Sequence, residues 1–269
     1  MIKHLFSDLD GTLLDPQGQV TAKTVQTIQK VGLPLTLVSA RAPLEMAATM
    51  QALDLTEPQI AFNGGLIFQD GPQGRHYLQA APLVEGSASE IIPALKQRFP
   101  QLSISYYDDQ RWYTERIDTG IILEQKLTGQ EPVVQPLTKT LRYSADKIFK
   151  IMLITSDPQL LLALKEFLRT LKNPEISWQQ SGTAYVEITS AQAQKSRGIK
   201  YLLEREALKT TEVAAFGDGH NDLPMLNLVG LPIVMANALP EVQAVARRIT
   251  RSNAADGVAY ALTHFPEFT

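Results

Sequence analysis

Short apolar runs that end in a small or polar residue recur along the chain, and they predict strands. They occupy Ile2–Ser7, Leu33–Ser39, Gln59–Phe62, Glu212–Phe216, Leu231–Met235 and, more weakly, Arg248–Thr250. Continuous apolar runs of this length are typical of strands that are buried on both faces of a parallel sheet.

Helical patterns lie between these runs. Thr21 is placed to cap a helix that ends at Gly32, and Pro43 fits the first turn of the next helix. Apolar positions also recur at helical spacing after Lys195. Strands that alternate with helices predict an α/β class with a doubly wound, mostly parallel sheet, in which ligands bind at the carboxyl ends of the strands.

The middle of the chain follows a different order. From about Leu83 to Ile188 the patterns predict a helix, two strands, a helix, a strand, a long helix and two strands. Neighbouring strands without a helix between them favour an antiparallel sheet, with one hairpin around Asp108-Asp109-Gln110 and another around Ser181-Gly182-Thr183. We therefore predict a core formed by residues 1–82 and 189–269, interrupted by an α+β domain over 83–188.

Composition narrows the classes of function. The chain has 269 residues, a net charge of −3 and no cysteine, which excludes disulfides, thiolate zinc sites and cysteine nucleophiles. No basic field points to nucleic acid, and no apolar run approaches the roughly 20 residues that cross a bilayer. We expect a cytoplasmic protein without a nucleic-acid or membrane partner. The sequence does not indicate an oligomeric state.

The stretch Asp8-Leu9-Asp10-Gly11 places two carboxylates where the first predicted strand meets a glycine turn. Glycine allows the chain to fold over a bound anion and to present amide groups to it. One carboxylate is placed to attack an electrophile while the other transfers protons, and a divalent cation would keep both ionised. The alternative is an ordinary surface turn, because Asp and Gly are common turn residues.

A second acidic turn follows the predicted strand that ends at Phe216. It contributes Asp218, Asn221 and Asp222 around two glycines. Carboxylate oxygens suit Mg²⁺, and a second acidic glycine turn at a strand end makes coincidence less credible than either turn alone. His220 does not indicate zinc, because the other histidines show no ligand spacing.

Other candidates are individually weaker. The Ser39 hydroxyl and Arg41 could contact a phosphate, although Ser39 fits an ordinary helix cap equally well. Lys195 offers a compact positive charge, with Arg197 and Lys200 as competitors. Asn63 could contact the substrate or simply form a tight turn, and Glu187 could line the cleft or simply pack and pair. Asn237 is expected only to shape a loop.

Together these residues resemble the haloacid dehalogenase-like phosphohydrolase superfamily, particularly its Cof-type branch, over essentially the whole chain. DLDGTLL (residues 8–14) and GDGHNDLPML (residues 217–226) are specific in combination. The chain departs from the usual pattern where Ala40, Ser196 and Ala236 replace frequent glycines. These small-for-small changes affect the fine geometry expected of the phosphate loop and not the reaction class.

The resemblance implies a role for each motif residue. Asp8 would be the nucleophile and Asp10 the general acid/base. Mg²⁺ would be bound by Asp8, the backbone carbonyl of Asp10 and Asp218, with Asp222 as a ligand or one shell further out. The phosphate would be held by Leu9, Ser39 and Lys195 with support from Asn221. Arg41, Asn63 and Glu187 are the candidate substrate contacts, and the inserted domain would act as a cap that selects the substrate.

These roles predict a magnesium-dependent phosphomonoester hydrolase that acts on a small metabolite, such as a sugar phosphate or a cofactor phosphate, through an aspartyl-phosphate. A sugar phosphomutase could use the same phospho-aspartate and return the phosphoryl group to a sugar hydroxyl. A binding module that has lost turnover is the third alternative, against which the intact Asp8, Asp10, Lys195 and Asp218 argue.

Overall fold

The computed structural model describes residues 1–143 and 147–268, which form two compact units. The core unit comprises Met1–Arg41, Met46–Gln79 and the chain from Gln194 onward, and the inserted unit comprises Ala42–Glu45 and Ala80–Ala193. The inserted unit contains the described residues of the 83–188 segment and extends beyond that segment at both ends. It also includes the first turn of a helix that continues in the core unit.

Strands and helices alternate through most of the core unit. In its first part the elements are β1 (His4–Ser7), α1 (Ala22–Val31), β2 (Leu35–Leu37), α2 (Pro43–Ala52), β3 (Gln59–Ala61), β4 (Leu66–Gly71) and β5 (Gly74–Ala80). The elements of the inserted unit are α3 (Ser87–Arg98), β6 (Ser103–Tyr107), β7 (Trp112–Thr114), α4 (Thr119–Thr128), β8 (Val133–Val134), α5 (Leu137–Tyr143), β9 (Lys150–Ile154), α6 (Pro158–Thr170), β10 (Ile176–Ser181) and β11 (Tyr185–Ser190). The core unit then resumes with α7 (Lys195–Arg205), β12 (Val213–Gly217), α8 (Leu223–Leu226), β13 (Leu231–Val234), α9 (Pro240–Gln243), β14 (Arg248–Ile249) and α10 (Gly257–His264).

The central sheet of the core unit is parallel, with the strand order β14-β13-β12-β1-β2. Its register pairs Ser7 at the end of β1 with Phe216 in β12 and with Leu37 in β2. The carboxyl ends of three neighbouring strands therefore meet at one edge, where the predicted motifs follow. The predicted α/β class with a mostly parallel sheet is confirmed.

The first helix begins and ends where the sequence predicts. The Thr21 hydroxyl accepts a hydrogen bond from the Thr24 amide, and Gly32 closes the helix in a left-handed conformation. Thr21 also donates to Asp256 Oδ1 at 2.6 Å, which ties the start of α1 to the residue that precedes α10.

One prediction for the core unit is wrong: the third predicted strand is not part of the parallel sheet. Gln59–Ala61 pairs antiparallel with β4 in a separate sheet of order β3-β4-β5, and a single parallel bridge joins Val38 to Ile60. The fully buried Gln59 side chain explains the change, because its Oε1 accepts the Leu37 amide at 2.7 Å where a ladder bond would otherwise form. The β4–β5 hairpin is a further element that the sequence patterns did not predict.

The inserted unit is built on a six-stranded sheet of order β10-β11-β9-β6-β7-β8. Both predicted hairpins are confirmed, since β6 pairs antiparallel with β7 and β10 with β11. One face of the sheet packs against α3 and α6 in a single apolar cluster, to which Ile151, Leu153 and Leu164 contribute fully buried side chains. The short elements β8 and α5 were not predicted.

We expect Thr21→Ala to lower the free energy of unfolding of the core unit by about 1–2 kcal/mol, because it removes a helix cap and the bond to Asp256. Urea denaturation should be followed by circular dichroism, because both tryptophans, Trp112 and Trp178, belong to the inserted unit. Thr27→Ala within the same helix is the control and should change stability by less than about 0.5 kcal/mol. Equal losses in the two variants would contradict the assigned cap.

Candidate active site

The loop after β1 carries the first acidic motif to the edge of the parallel sheet. The Asp8 amide donates to the Phe216 carbonyl at 3.0 Å, which fixes Asp8 beside the end of β12, and the Asp8 side chain is buried. Gly11 has φ +79°, and a Cβ atom there would lie only 2.8 Å from Cγ of Asp218. The glycine therefore allows the two acidic loops to approach each other.

Lys195 connects three segments of the chain. Its ammonium group is fully buried and donates to Asp8 Oδ1 at 2.5 Å and to Asp222 Oδ1 at 2.6 Å. Burial lowers the pKa of Lys195, but the carboxylates of Asp222 and Asp8 outweigh it and hold the pKa above its usual value. Lys195 is thus a permanent positive charge between two acidic side chains.

Both carboxylate oxygens of Asp222 accept hydrogen bonds from neighbouring groups. Its side chain is inaccessible to solvent, and Oδ2 accepts the amides of Asp218 and Gly219, each at 2.9 Å. A Cβ atom on Gly217 would lie 2.8 Å from the Asp222 carboxyl carbon, so glycine is needed at that position. Asp222 therefore holds both the turn that carries Asp218 and the ammonium group of Lys195.

Two side chains outside the predicted set hold Asp218. Thr12 Oγ1 donates to Asp218 Oδ1 at 2.7 Å, and Asn237 Nδ2 lies 3.4 Å from Oδ2 while donating to the Gly11 carbonyl at 2.9 Å. Burial raises the pKa of Asp218 to about 6, although the Thr12 hydrogen bond opposes the change. Thr12 lies inside the DLDGTLL stretch, which was the available signal for it, whereas the Asn237 contacts depend on tertiary structure.

Asp8 and Asp218, with Asp222 beside them, form an acidic cluster that fits a divalent cation. Each offers a carboxylate oxygen, and these oxygens lie within 4.8 Å of one another. Burial and the neighbouring Asp222 raise the pKa of Asp8 even though Lys195 lowers it, so the cluster lacks positive charge. Hard oxygen donors that lack positive charge are the set that Mg²⁺ takes in proteins, where it also keeps several waters.

Asp10 points to the same edge of the sheet but is exposed, and it pairs with Arg41. The guanidinium group donates Nε to Asp10 Oδ2 at 2.8 Å and Nη2 to Oδ1 at 2.6 Å. This bidentate geometry orients the carboxylate. Arg41 was predicted as a substrate contact, and in the structure it contacts the predicted general acid/base.

Ser39 and Leu9 lie in the same region of the core unit. The buried Ser39 hydroxyl accepts the Arg41 amide at 3.1 Å, which leaves its hydrogen to donate elsewhere. Leu9 has a fully buried side chain, so its backbone is the part that a phosphate could contact. The structure thus brings the predicted phosphate-binding residues of the core unit to one edge of one sheet.

The remaining predicted residues divide between the two units. In the core unit, the buried Asn63 accepts a hydrogen bond from Asn221 Nδ2 through its Oδ1, at 3.4 Å. Glu187 belongs to the inserted unit, where its Oε1 lies 3.6 Å from Nζ of the buried Lys150. The structure therefore places Glu187 in an ion pair of its own unit.

The chain also matches a known family in sequence. The family model of the haloacid dehalogenase-like hydrolases matches residues 5–262. The chain belongs to this family of hydrolases. The predicted superfamily and the prediction of an enzyme are both confirmed. No helix within the described ranges is long and apolar enough to span a membrane.

Relatives cover nearly the full length of the chain. A Haemophilus influenzae protein, provisionally named a phosphatase, is 31% identical over 99% of this chain and 100% of its own length. The 5-amino-6-(5-phospho-D-ribitylamino)uracil phosphatase of Bacillus subtilis is 26% identical over 96% of each chain. A crystal structure from Thermotoga maritima matches with a TM-score of 0.86 and 27% identity over 97% of both chains. A haloacid dehalogenase-like hydrolase from Bacteroides thetaiotaomicron matches with a TM-score of 0.84 and 25% identity, over 97% of this chain and 98% of its own.

We expect Asp8→Asn to stabilise the protein against urea at pH 8 in the presence of a chelator. The folded pKa of Asp8 is raised, so ionised Asp8 costs folding free energy once the pH exceeds the unfolded value. Asparagine keeps an acceptor for Lys195 and leaves the Lys195–Asp222 pair neutral. Urea denaturation from pH 8 downward should show the difference shrinking toward zero near about pH 4. A variant that is less stable than the wild type at pH 8 would contradict this.

Proposed function

We propose that this protein is a magnesium-dependent phosphomonoester hydrolase that acts on a small phosphorylated metabolite through an aspartyl-phosphate. The observation that carries the proposal is the position of Asp8. Its carboxylate is buried, bonded to Lys195 at 2.5 Å and grouped with Asp218 and Asp222. Membership of a hydrolase family and the phosphatase names of full-length relatives support it.

Asp8, the backbone carbonyl of Asp10 and Asp218 are the groups that would hold Mg²⁺. Asp222 lies behind them, because its oxygens already accept Lys195 and two amides. A divalent cation bound there would neutralise the carboxylates and withdraw charge from the phosphoryl oxygens in the transition state.

The protein side chains account for the two covalent steps. Asp8 attacks phosphorus and forms an oxygen–phosphorus bond while the bond to the leaving oxygen breaks, and protonated Asp10 gives its proton to that oxygen. Asp10, now a carboxylate, then takes a proton from the water that attacks the aspartyl-phosphate. Inorganic phosphate leaves, and the Asp8 carboxylate is restored. Arg41 orients Asp10 through two hydrogen bonds. One of these bonds must break or weaken when an Asp10 oxygen carries the proton.

The phosphoryl oxygens would be held by groups that the core unit already orients. Lys195 supplies a positive charge, the Ser39 hydroxyl supplies a donor, and the Leu9 backbone supplies an amide. Asn221 supports this set from the second acidic turn. Fixed donors around the phosphoryl group give most of the rate enhancement in phosphoryl transfer, because little reorganisation is then needed in the transition state.

The substrate is proposed as a class and not as a compound. The Bacillus subtilis relative is named for a ribityl phosphate, which supports a small polar phosphate ester such as a sugar phosphate or a cofactor phosphate. We further propose that the inserted unit selects the alcohol part of the ester, with Glu187 as a candidate contact.

We expect Asp8→Asn to abolish phosphate release, with a loss of at least about a thousandfold in kcat, because no other side chain can replace the nucleophile. Phosphate release should be measured with Mg²⁺ across a panel of phosphomonoesters and without a sugar bisphosphate activator. Asp70→Asn is the control, since Asp70 pairs with Arg75 in the β4–β5 hairpin and should leave kcat unchanged. Substantial turnover by the Asp8 variant would refute the assigned nucleophile, and a requirement for the bisphosphate would indicate a mutase.

We expect removal of Mg²⁺ by a chelator to abolish turnover and re-addition to restore it. Because binding to the folded state stabilises it, Mg²⁺ at about 100 times its dissociation constant should also add about 2.7 kcal/mol to the free energy of unfolding. Asp218→Asn should lose most of this stabilisation, whereas Asp70→Asn should keep it. Equal stabilisation of the wild type and the Asp218 variant would exclude Asp218 from the cation site.

A further inference from the structure

Three consecutive residues after β3 adopt left-handed backbone conformations. Phe62 has φ +51°, Asn63 has φ +55° and Gly64 has φ +94°. A positive φ is unfavourable for residues with a Cβ atom and is a clear outlier for a bulky side chain such as that of Phe62. Such a turn persists only when its surroundings fix it, and outliers of this kind concentrate at functional sites.

The backbone of this turn is bonded to the segment that carries Ser39 and Arg41. The Asn63 amide donates to the Ser39 carbonyl at 2.8 Å, and the Phe62 amide donates to the Arg41 carbonyl at 3.0 Å. The Phe62 side chain is fully buried in the core unit, which anchors the turn. The backbone angles of Phe62 set the direction of the amide that follows it, so extended backbone at Phe62 would point the Asn63 amide away from Ser39. The left-handed conformation of Phe62 therefore maintains this bond.

The turn also contacts the two other segments that are proposed to hold phosphate. The Asn63 side chain accepts the hydrogen bond from Asn221 on the second acidic turn. Gly64 packs against the residue before Lys195, so closely that a Cβ atom would overlap the Gln194 carbonyl oxygen and lie 2.7 Å from its carbonyl carbon. Arg197 Nη1 donates to the Gly64 carbonyl at 3.3 Å, which adds a contact to the first turn of α7.

We propose that the left-handed turn Phe62–Gly64 is a positioning element that sets the spacing of Ser39, Lys195 and Asn221 around the phosphoryl group. Asn63 then acts through these residues and does not contact the alcohol part of the substrate, in contrast to the role predicted for it from the sequence. This inference rests on the proposed function, because it assumes that the three residues hold phosphate.

Gly64→Ala tests the turn, and Gly32→Ala is its matched control. Both glycines have positive φ in the core unit, but a Cβ atom on Gly32 would have no neighbour within 4 Å, so that substitution adds strain without a clash. The measurements are kcat and KM for p-nitrophenyl phosphate, the inhibition constant of inorganic phosphate and the midpoint of thermal unfolding.

We expect Gly64→Ala to lower kcat and to raise the inhibition constant of phosphate by at least about tenfold each, because displaced groups lose oriented contacts. Gly32→Ala should lower the unfolding midpoint while changing both kinetic values less than about twofold. A folded Gly64 variant with kinetics like those of the wild type would overturn the proposal. Equal kinetic losses in both variants would also overturn it, because lost stability would then explain them.

Asn63→Gly provides a second variant that keeps the left-handed turn accessible and removes only the side chain. A positioning role predicts that kcat falls by the same factor for esters with different leaving groups. It also predicts weaker inhibition by inorganic phosphate. An increase in KM confined to particular esters, with phosphate inhibition unchanged, would show a direct substrate contact and would overturn the proposal. This variant decides the question if Gly64→Ala does not fold.

A failure of the proposed function can be recognised separately. If the wild type releases no phosphate from any ester, the proposed hydrolase is refuted. Calorimetric titration with inorganic phosphate and Mg²⁺ then tests the turn alone. Binding that is at least about tenfold weaker in Gly64→Ala than in the wild type supports the positioning role, whereas equal binding, or no binding by either protein, overturns it.

Discussion

The buried ammonium group of Lys195 is the interaction on which the rest of the site depends. It lies between Asp8 and Asp222, which come from segments far apart in the sequence, and none of the three side chains is appreciably exposed. Removing Lys195 would leave two buried carboxylates without a counter-charge, which is far more costly than the net value of the ion pairs themselves. The three segments must therefore stay in one relative position, and the scaffold provides it.

The parallel sheet supplies that position at low cost. Because β1 and β12 are neighbours in register, the residues that follow them emerge side by side, and the Asp8 amide can continue the pairing to Phe216. Glycines then permit an approach that a Cβ atom would block, at Gly11 against Asp218 and at Gly217 against Asp222. The order of the strands thus places the acidic loops side by side, and the absence of a Cβ atom at the two glycines lets them approach closely.

This geometry explains how much of the site the sequence predicts. Strand ends, acidic residues and glycines are local features of the sequence. Parallel pairing of the strands then brings the residues that follow them to one edge of the sheet. Contacts that long side chains make with residues distant in the sequence are not local features. Gln59 takes the place of a ladder partner for Leu37, and Arg41 pairs with Asp10 across a loop. No spacing rule indicates either contact, because each depends on where a long side chain finds a partner after folding.

The role proposed for the left-handed turn at Phe62–Gly64 also depends on contacts that form only after folding. Asn63-Gly64 reads as an ordinary tight turn, and only the bonds to Ser39 and Asn221 show what its conformation holds.

The charge balance of the site links its stability to its chemistry. Three carboxylates face one ammonium group, so negative charge exceeds positive charge in the cluster. Burial, followed by the neighbouring carboxylates, raises the pKa of Asp8 and of Asp218. A phosphate dianion would meet net repulsion from this cluster, and a divalent cation removes it. If the protein is the proposed hydrolase, the same shortage of positive charge that costs folding free energy would make phosphate binding depend on the cation. A lysine in place of Asp218 would restore the balance, but it would also remove one of the proposed ligands of that cation.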